Sequence, residues 1–151
     1  MKLKILFTGG SGMVGKNFLK HTSANKFKIL TPSSEELDLR NLNKIKKFLN
    51  LHKPEFVIHA AGIVGGIQAN IKYPLQFLLD NLEMGKNIVI ASKEANIKKL
   101  INLGSSCMYP TNYKKPLTED LILKGALEPT NEGYALAKIV TSRLCQYIKQ
   151  D

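Results

Sequence analysis

The sequence predicts an α/β fold in which a parallel sheet of about five strands carries helices on both faces. Two observations predict it. Short β-prone runs alternate along the 151 residues with longer helical patterns, and the first of these runs leads directly into a glycine-rich loop. Parallel strands need a crossover between them, usually a helix, so this alternation favours a doubly wound sheet. The chain length suits a single domain.

The first element is a strand followed by a glycine loop. Leu3–Phe7 is a short apolar run, Thr8–Gly15 contains the spacing Gly-x-x-Gly-x-x-Gly, and a helical pattern begins at Val14. Glycines at this spacing permit a tight turn, close approach of the backbone to a pyrophosphate and close packing of helix on strand. Free amides at the helix start then face the anion. The element therefore predicts a Rossmann-type dinucleotide-binding unit.

The second strand, residues 27–30, bears on the choice of cofactor. An NAD-binding fold of this type carries an acid about 20 residues beyond the loop, where it holds the ribose 2′-hydroxyl. Here the strand leads into residues 31–34, which offer hydroxyls without charge, Ser34 among them. This leaves room for a 2′-phosphate and favours NADP. Glu35 and Glu36 follow closely, and no arginine is offered as a clamp.

The next elements continue the alternation. Residues 36–39 are interpreted as a third short strand, in which Asp38 is either a helix cap or a contact to adenine. Residues 41–51 have a helical apolar face. Residues 55–59 are a fourth strand, which ends in Ala60-Ala61-Gly62. Small residues at the end of a strand allow a flat cofactor to approach the backbone.

The second half begins with a long helix. Residues 74–95 carry an apolar stripe broad enough to contact a partner as well as the sheet. Residues 99–103 form the fifth strand, which delivers Gly104 and Ser105 to a loop. With the strands numbered in chain order, we expect the sheet order 3-2-1-4-5.

The last helix carries a tyrosine and a lysine four residues apart. Tyr134 and Lys138 share one helix face, so their side chains can point into one pocket. A phenol titrates near ~10, and a neighbouring ammonium helps it to exchange protons at neutral pH. Ser105, at the end of the fifth strand, can donate to a carbonyl oxygen beside the phenol. Alone the spacing is weak, because both residue types are ordinary on surface helices; the glycine loop and Ser105 upstream favour the catalytic interpretation.

Composition limits the classes of ligand and the cellular compartments that suit this sequence. The formal net charge is +10, but the basic residues are scattered, which favours a small anionic ligand over nucleic acid. Cys107 and Cys145 make no disulfide framework and indicate a reducing cytoplasm. No apolar segment approaches the ~20 residues that span a bilayer. His59 has no partner at metal-ligand spacing, so no metal site is expected.

The motifs together resemble those of a known family. Residues 8–15, His59–Gly62, Ser105 and Tyr134-x-x-x-Lys138 are similar to the extended short-chain dehydrogenase/reductases. Three further segments resemble the GDP-L-fucose synthase branch of that family, namely residues 64–70, 104–110 and 127–132. The resemblance implies an NADPH-dependent epimerase/reductase that acts on a GDP-4-keto-6-deoxy sugar, and it implies a homodimer formed through helices 75–95 and 131–149.

The resemblance also implies roles for particular residues. Ser105, Tyr134 and Lys138 would be the catalytic triad, and Cys107 would do acid–base work at the carbons that flank the ketone. A buried, inert thiol is the alternative for Cys107. The cofactor would contact Gly9, Gly10, Ser11, Gly12, Met13, Val14, Gly15, Ser34, Asp38, Leu39, Ala60, Ala61, Leu103, Gly104, Ser105 and Lys138.

The chemistry that this implies suits these residue types. A ketone acidifies the neighbouring C–H bonds when donors such as Tyr134 and Ser105 stabilise the enolate oxygen. Cys107, with a second acid–base group, can then remove and return protons and so invert the centres. The cofactor supplies a hydride to the ketone while Tyr134 supplies the proton.

The chain departs from the family in length. Members of the family carry a carboxyl-terminal substrate domain, whereas this sequence reaches Asp151 shortly after the helix that bears Tyr134. We therefore expect residues 1–151 to be an incomplete NADP-binding domain. Two alternatives remain: a related GDP-deoxyheptose reductase, and a catalytically incomplete module that binds NADP or dimerises.

Overall fold

The computed structural model describes residues 2–150 as two compact units. The sheet unit comprises the residues up to Gly62 together with Glu83–Leu103. The helical unit comprises Ile63–Leu82 together with the residues from Gly104 onward. The strands are β1 (Lys4–Thr8), β2 (Lys28–Leu30), β3 (Phe56–His59) and β4 (Lys99–Asn102). The helices are α1 (Met13–Lys20), α2 (Leu42–His52), α3 (Ile67–Lys72), α4 (Pro74–Glu94) and α5 (Glu132–Gln150).

The four strands form one parallel sheet in the order β2-β1-β3-β4. Its central strand β1 pairs with β3 in a register that places Leu6 beside Val57 and Thr8 beside His59. All four side chains are at most 2% exposed. Strands of a parallel sheet are covered on both faces, so their sequences read as continuous apolar runs. The predicted α/β class with a Rossmann-type parallel sheet is confirmed.

The predicted third strand at residues 36–39 is wrong, and within residues 2–150 the sheet has four strands in place of five. The segment forms a turn. The Ser33 amide donates to the Glu36 carboxylate at 2.7 Å, and the Glu36 amide donates to Ser33 Oγ at 3.2 Å. The Leu37 amide donates to the Ser33 carbonyl at 2.9 Å. These local bonds occupy backbone groups that a strand would offer to its neighbour.

Burial of this turn explains the apolar alternation that resembled a strand. Leu37 and Leu39 are 4% and 6% exposed. The amide nitrogen of Asn87 in α4 donates to the carbonyls of Leu39 and Arg40, at 3.2 and 2.9 Å. The turn is therefore anchored by a buried side chain from a helix. The remaining predicted strands keep their predicted neighbours.

In the helical unit, α5 lies close against the start of α4. A Cβ atom on Gly133 would lie 2.8 Å from the Pro74 carbonyl oxygen. Only a glycine allows this approach. Ala135 and Ala137, which follow it in α5, are fully buried. The short helix α3, which has six residues, was not predicted. Among residues 2–150, no helix has both the length and the apolar character needed to cross a bilayer.

Candidate active site

The loop after β1 is shaped by glycines whose missing side chains leave no room for substitution. Gly9 has a φ of 80°, and a Cβ atom there would lie 2.7 Å from the Ala61 amide nitrogen. A Cβ atom on Gly15 would lie 2.4 Å from the Gly9 carbonyl oxygen and 2.5 Å from the Gly10 Cα. Real Cβ atoms do not approach other atoms so closely. The loop therefore packs against the small residues that follow β3 and against the first turn of α1.

The start of α1 has the properties of an anion site. Gly12 is its N-cap and provides no side-chain hydrogen bond, and the first turn carries no acidic residue. Ser11, Gly12, Met13 and Val14 are all exposed. The first amides of a helix lack partners within the helix, and the helix dipole adds positive potential there. The residues expected to bind a pyrophosphate thus lie at an accessible helix terminus.

The turn after β2 carries a charged pair that the sequence analysis did not use. Asp38 accepts hydrogen bonds from the Arg40 backbone amide and Nε, each at 3.0 Å, and from a terminal guanidinium nitrogen at 3.1 Å. These bonds hold the pKa of Asp38 below its usual value. Ser34 is exposed, whereas the Leu39 side chain is buried. Arg40 is a candidate for a 2′-phosphate that the sequence analysis overlooked when it found no arginine clamp, although its position two residues after Asp38 in a polar turn could have indicated it.

The buried polar pair at the end of the central strands is structural. Thr8 Oγ1 and His59 Nδ1 are 2.8 Å apart, and both residues are 2% exposed. The Leu103 amide donates to the His59 carbonyl at 3.1 Å, which fixes the exit from β4. Among residues 2–150, no three His, Cys, Asp or Glu side chains form a group that could hold a metal ion.

In the helical unit, the buried side chain of Met108 fixes the loop that carries Ser105. The Ser105 amide donates to Met108 Sδ at 3.3 Å, and Met108 is 4% exposed. A Cβ atom on Gly104 would lie 3.1 Å from the same sulfur, so glycine leaves it room. The Cys107 amide donates to Ser105 Oγ at 3.3 Å. The loop thus holds the Ser105 hydroxyl against the backbone of Cys107.

The Tyr134 phenol meets both of these groups. Burial raises the pKa of Tyr134, negative charge on Cys107 raises it further, and a hydrogen bond with Ser105 lowers it. The balance keeps the phenol protonated, so in this environment it is an acid rather than a base. Lys138 Nζ lies 5.8 Å from the centre of the Tyr134 ring. Lys138 is 7% exposed, and burial lowers the pKa of its ammonium.

The thiol of Cys107 has a further neighbour that the sequence analysis missed. Asn131 Nδ2 donates to Cys107 Sγ at 3.4 Å. Asn131 ends a short 3₁₀ turn, Pro129–Asn131, which leads directly into α5. The four residues predicted as catalytic, Ser105, Cys107, Tyr134 and Lys138, therefore lie within one cluster of the helical unit. A hydroxyl, a phenol and an ammonium can stabilise an oxyanion, and a thiol can transfer a proton at carbon.

A sequence model of the NAD dependent epimerase/dehydratase family matches residues 5–151. The chain belongs to this family. The motif resemblance described above is thereby confirmed.

Two relatives show where this epimerase/dehydratase chain stands within the family. It is 58% identical over 149 residues to a GDP-L-colitose synthase of Yersinia pseudotuberculosis, an alignment that covers 99% of the chain and 48% of the relative. It is 48% identical over 145 residues to a GDP-L-fucose synthase of Azorhizobium caulinodans, covering 96% of the chain and 46% of the relative. The chain thus spans slightly less than half the length of either relative.

A solved structure supports the same placement. A GDP-mannoheptose C4 reductase from Campylobacter jejuni with NADP bound superposes with a TM-score of 0.90 at 32% identity. The superposition covers 97% of the epimerase/dehydratase chain and 46% of the reductase. The α/β architecture described above is therefore shared with a nucleotide-sugar reductase of known structure.

Proposed function

We propose that the chain is the cofactor-binding and catalytic half of an NADPH-dependent epimerase/reductase that acts on a GDP-4-keto-6-deoxy sugar. The observation that carries the proposal is the cluster in which Tyr134 interacts with both Ser105 and Cys107. A reductase needs the phenol and the hydroxyl, and an epimerase needs an additional group that moves protons at carbon. Two relatives are named as synthases of GDP-sugars, which agrees with a substrate of this class.

The sheet unit would bind the adenosine and pyrophosphate end of NADP. The backbone of residues 9–15 would hold the pyrophosphate, because Cβ atoms on Gly9 or Gly15 would fill the space that the loop keeps free. Ser34 and Arg40 would meet the 2′-phosphate, and Asp38 with Leu39 would border the adenine. Ala60 and Ala61 would let the cofactor approach the ends of the strands.

In the helical unit, Lys138 would hold the nicotinamide ribose, with Gly104 and Ser105 bordering the nicotinamide. When bound, NADPH supplies the hydride for reduction of the ketone. Tyr134 would donate its proton to the ketone oxygen, and Ser105 would hold that oxygen against the phenol. Because burial keeps the phenol protonated, Tyr134 is ready to act as the acid in this step.

Cys107 would act before reduction. As a thiolate it would take the proton from a carbon next to the ketone, so that an S–H bond forms, the C–H bond breaks and the electron pair moves to the enolate oxygen. Tyr134 and Ser105 would stabilise that oxygen with their donors. Return of a proton to the opposite face, from a second acid–base group, inverts the centre.

The test separates binding from turnover. NADPH and NADH are titrated into the chain by calorimetry, and the chain is then mixed at stoichiometric concentration with NADPH and GDP-4-keto-6-deoxymannose. Tight NADPH binding with loss of absorbance at 340 nm supports the proposal. Binding without turnover supports the catalytically incomplete module instead, and absence of NADPH binding contradicts both.

A second candidate product is GDP-L-colitose, which the 58% identity to the colitose synthase favours over the fucose synthase at 48%. A third candidate function is that of a GDP-deoxyheptose reductase, which the likeness to the Campylobacter structure supports. The 4-keto precursors of the three products, offered separately in the same assay, decide between them by their single-turnover rates.

We further propose a cytoplasmic homodimer formed through α4 and α5. Large apolar side chains on both helices are exposed, namely Leu75 at 66%, Leu79 at 52%, Val140 at 47% and Tyr147 at 62%. A glutamate in place of Leu79 is expected to reduce the mass measured by light scattering from that of a dimer to that of a monomer.

The cytoplasmic location is supported by the cysteines. The free thiols of Cys107 and Cys145 suit a reducing compartment.

A further inference from the structure

We propose that Asn131 is a positioning residue whose side-chain amide donates a hydrogen bond to Cys107 Sγ and stabilises its thiolate for proton transfer. The inference rests on the proposed function, in which Cys107 is the base. It adds a residue to the site that acts through the sulfur, and it gives a role to one position of segment 127–132, which the sequence analysis singled out without assigning Asn131 a function.

The position of Asn131 is fixed by its own turn. Its backbone amide donates to the Glu128 carbonyl at 3.2 Å. The Glu128 carboxylate accepts hydrogen bonds from the amide and the hydroxyl of Thr130 and so caps the turn. The turn also packs against α3. A side chain held in this way can direct a donor at one place, and Nδ2 lies 3.4 Å from Cys107 Sγ.

The orientation of the amide supports a role toward the sulfur. The nitrogen end faces Sγ, while the oxygen end, Oδ1, is buried and accepts no hydrogen bond from any of residues 2–150. A buried acceptor without a donor is destabilising, and folded proteins rarely retain one without a reason. The orphaned Oδ1 is available to a donor on a bound molecule, such as a sugar hydroxyl.

The chemistry follows from the charge of the two forms of cysteine. A hydrogen-bond donor stabilises the anionic thiolate more than the neutral thiol, and only the thiolate can accept a proton from carbon. The titratable group that faces Cys107 from α5 is the Tyr134 phenol, which interacts with its charge. From the turn before α5, the Glu128 carboxylate is engaged by Thr130. Because the phenol stays protonated, it places no negative charge beside the sulfur, and the donor from Asn131 can stabilise the thiolate.

The experiment measures the thiol directly, without cofactor or substrate. The chain is alkylated with iodoacetamide between pH 6 and pH 10, and the rate at Cys107 is followed by peptide mass spectrometry, with Cys145 as an internal reference. In Asn131→Ala the pH midpoint of the Cys107 rate should rise by about one unit, a roughly tenfold slower reaction at pH 7. In Asn131→Asp, where a carboxylate replaces the donor, the rise should be larger.

Asn50→Asp is the matched control, because it makes the same change from amide to carboxylate at an exposed position of α2, away from both cysteines in the sequence. Its Cys107 midpoint should equal that of the unmodified chain. An unchanged midpoint in both Asn131 variants overturns the inference. A lowered midpoint in Asn131→Ala overturns it as well, because it would mean that the carbonyl end faces the thiol.

Two readouts keep the outcome interpretable. If Asn131→Ala unfolds, Cys145 reacts faster too, and the near-isosteric Asn131→Asp then decides. A midpoint shift in a chain that never turns over GDP-4-keto sugar would contradict the proposed function and leave the contact intact. Turnover by the unmodified chain, with no midpoint shift in the Asn131 variants, would contradict only the role of Asn131 and leave the proposed function standing.

Discussion

The glycine loop of the sheet unit and the Ser105–Lys138 cluster of the helical unit are built from different parts of the polypeptide. The loop depends on side chains that are missing, because Gly9 and Gly15 leave no space for a Cβ atom. The cluster depends on the side chains that are present. Burial shifts the pKa values of Tyr134 and Lys138, and the neighbouring charge on Cys107 shifts that of Tyr134 further. A substitution in the loop should therefore act through shape, and one in the cluster through chemistry.

The largest effect is expected from removal of the phenolic proton. Tyr134→Phe should lower the single-turnover rate of ketone reduction by roughly 10²–10⁴-fold, the range for loss of a general acid. The NADPH affinity measured by calorimetry should stay within about twofold, since the ring remains. Equal losses of affinity and rate would show that Tyr134 supports the fold rather than the reaction.

The loop is tested by adding one carbon. Gly15→Ala places a methyl group 2.4 Å from the Gly9 carbonyl oxygen, so the loop must move and the free energy of unfolding should fall by about 1–3 kcal/mol. Weaker NADPH binding should accompany it. Gly66→Ala is the matched control: apart from Gly66 and its two chain neighbours, no residue has an atom within 4 Å of the Cβ position, and the cost in urea unfolding should be about 0.5 kcal/mol or less.

The cofactor's phosphate tests whether the sheet unit also uses side-chain charge. Arg40→Ala should weaken NADPH binding about tenfold, the loss of a charge-assisted hydrogen bond, and leave NADH binding unchanged. Lys47→Ala removes the same charge from an exposed position of α2 and should change neither affinity. Equal weakening of NADPH by both variants would assign the effect to net charge.

The smallest effect concerns the pH dependence of stability. Burial lowers the pKa of Lys138 in the folded chain. Between this pKa and the pKa of an unfolded lysine, near ~10.4, the unfolded chain binds more protons than the folded chain. The free energy of unfolding should therefore rise with pH across that window. In Lys138→Met this contribution should vanish. The difference between the two chains in urea unfolding at pH 7 and pH 9.5 measures it. The Tyr134 phenol, whose pKa shifts upward, is common to both and cancels.

The two regions also differ in how far the sequence predicts them. The loop follows from a local spacing of glycines after an apolar run, and the structure contains the strand, the turn and the helix in that order. The error at residues 36–39 arose because Ser33 and Glu36 bond to each other's backbone amides, whereas apolar alternation alone cannot distinguish a buried turn from a strand. Short-range bonding prevailed there over periodicity.

The cluster was predicted by residue types, and its missing member shows the limit of that approach. Asn131 reaches Cys107 across 24 positions of the chain, so no local pattern connects them. The helix α3 was missed for a related reason: it has only six residues and begins after two glycines. Contacts set by packing between distant segments become visible only once the chain is folded.

Electrostatic coupling between Cys107 and Tyr134 would favour one order of the two proton transfers in the proposed reaction. While the sulfur is anionic, the phenol holds its proton more tightly, since its pKa rises with that charge. When the sulfur has been neutralised by a proton from carbon, the phenol becomes the stronger acid. In the proposed reaction the phenol would then release its proton more readily once Cys107 has taken a proton from carbon, which favours reduction after that step over reduction before it.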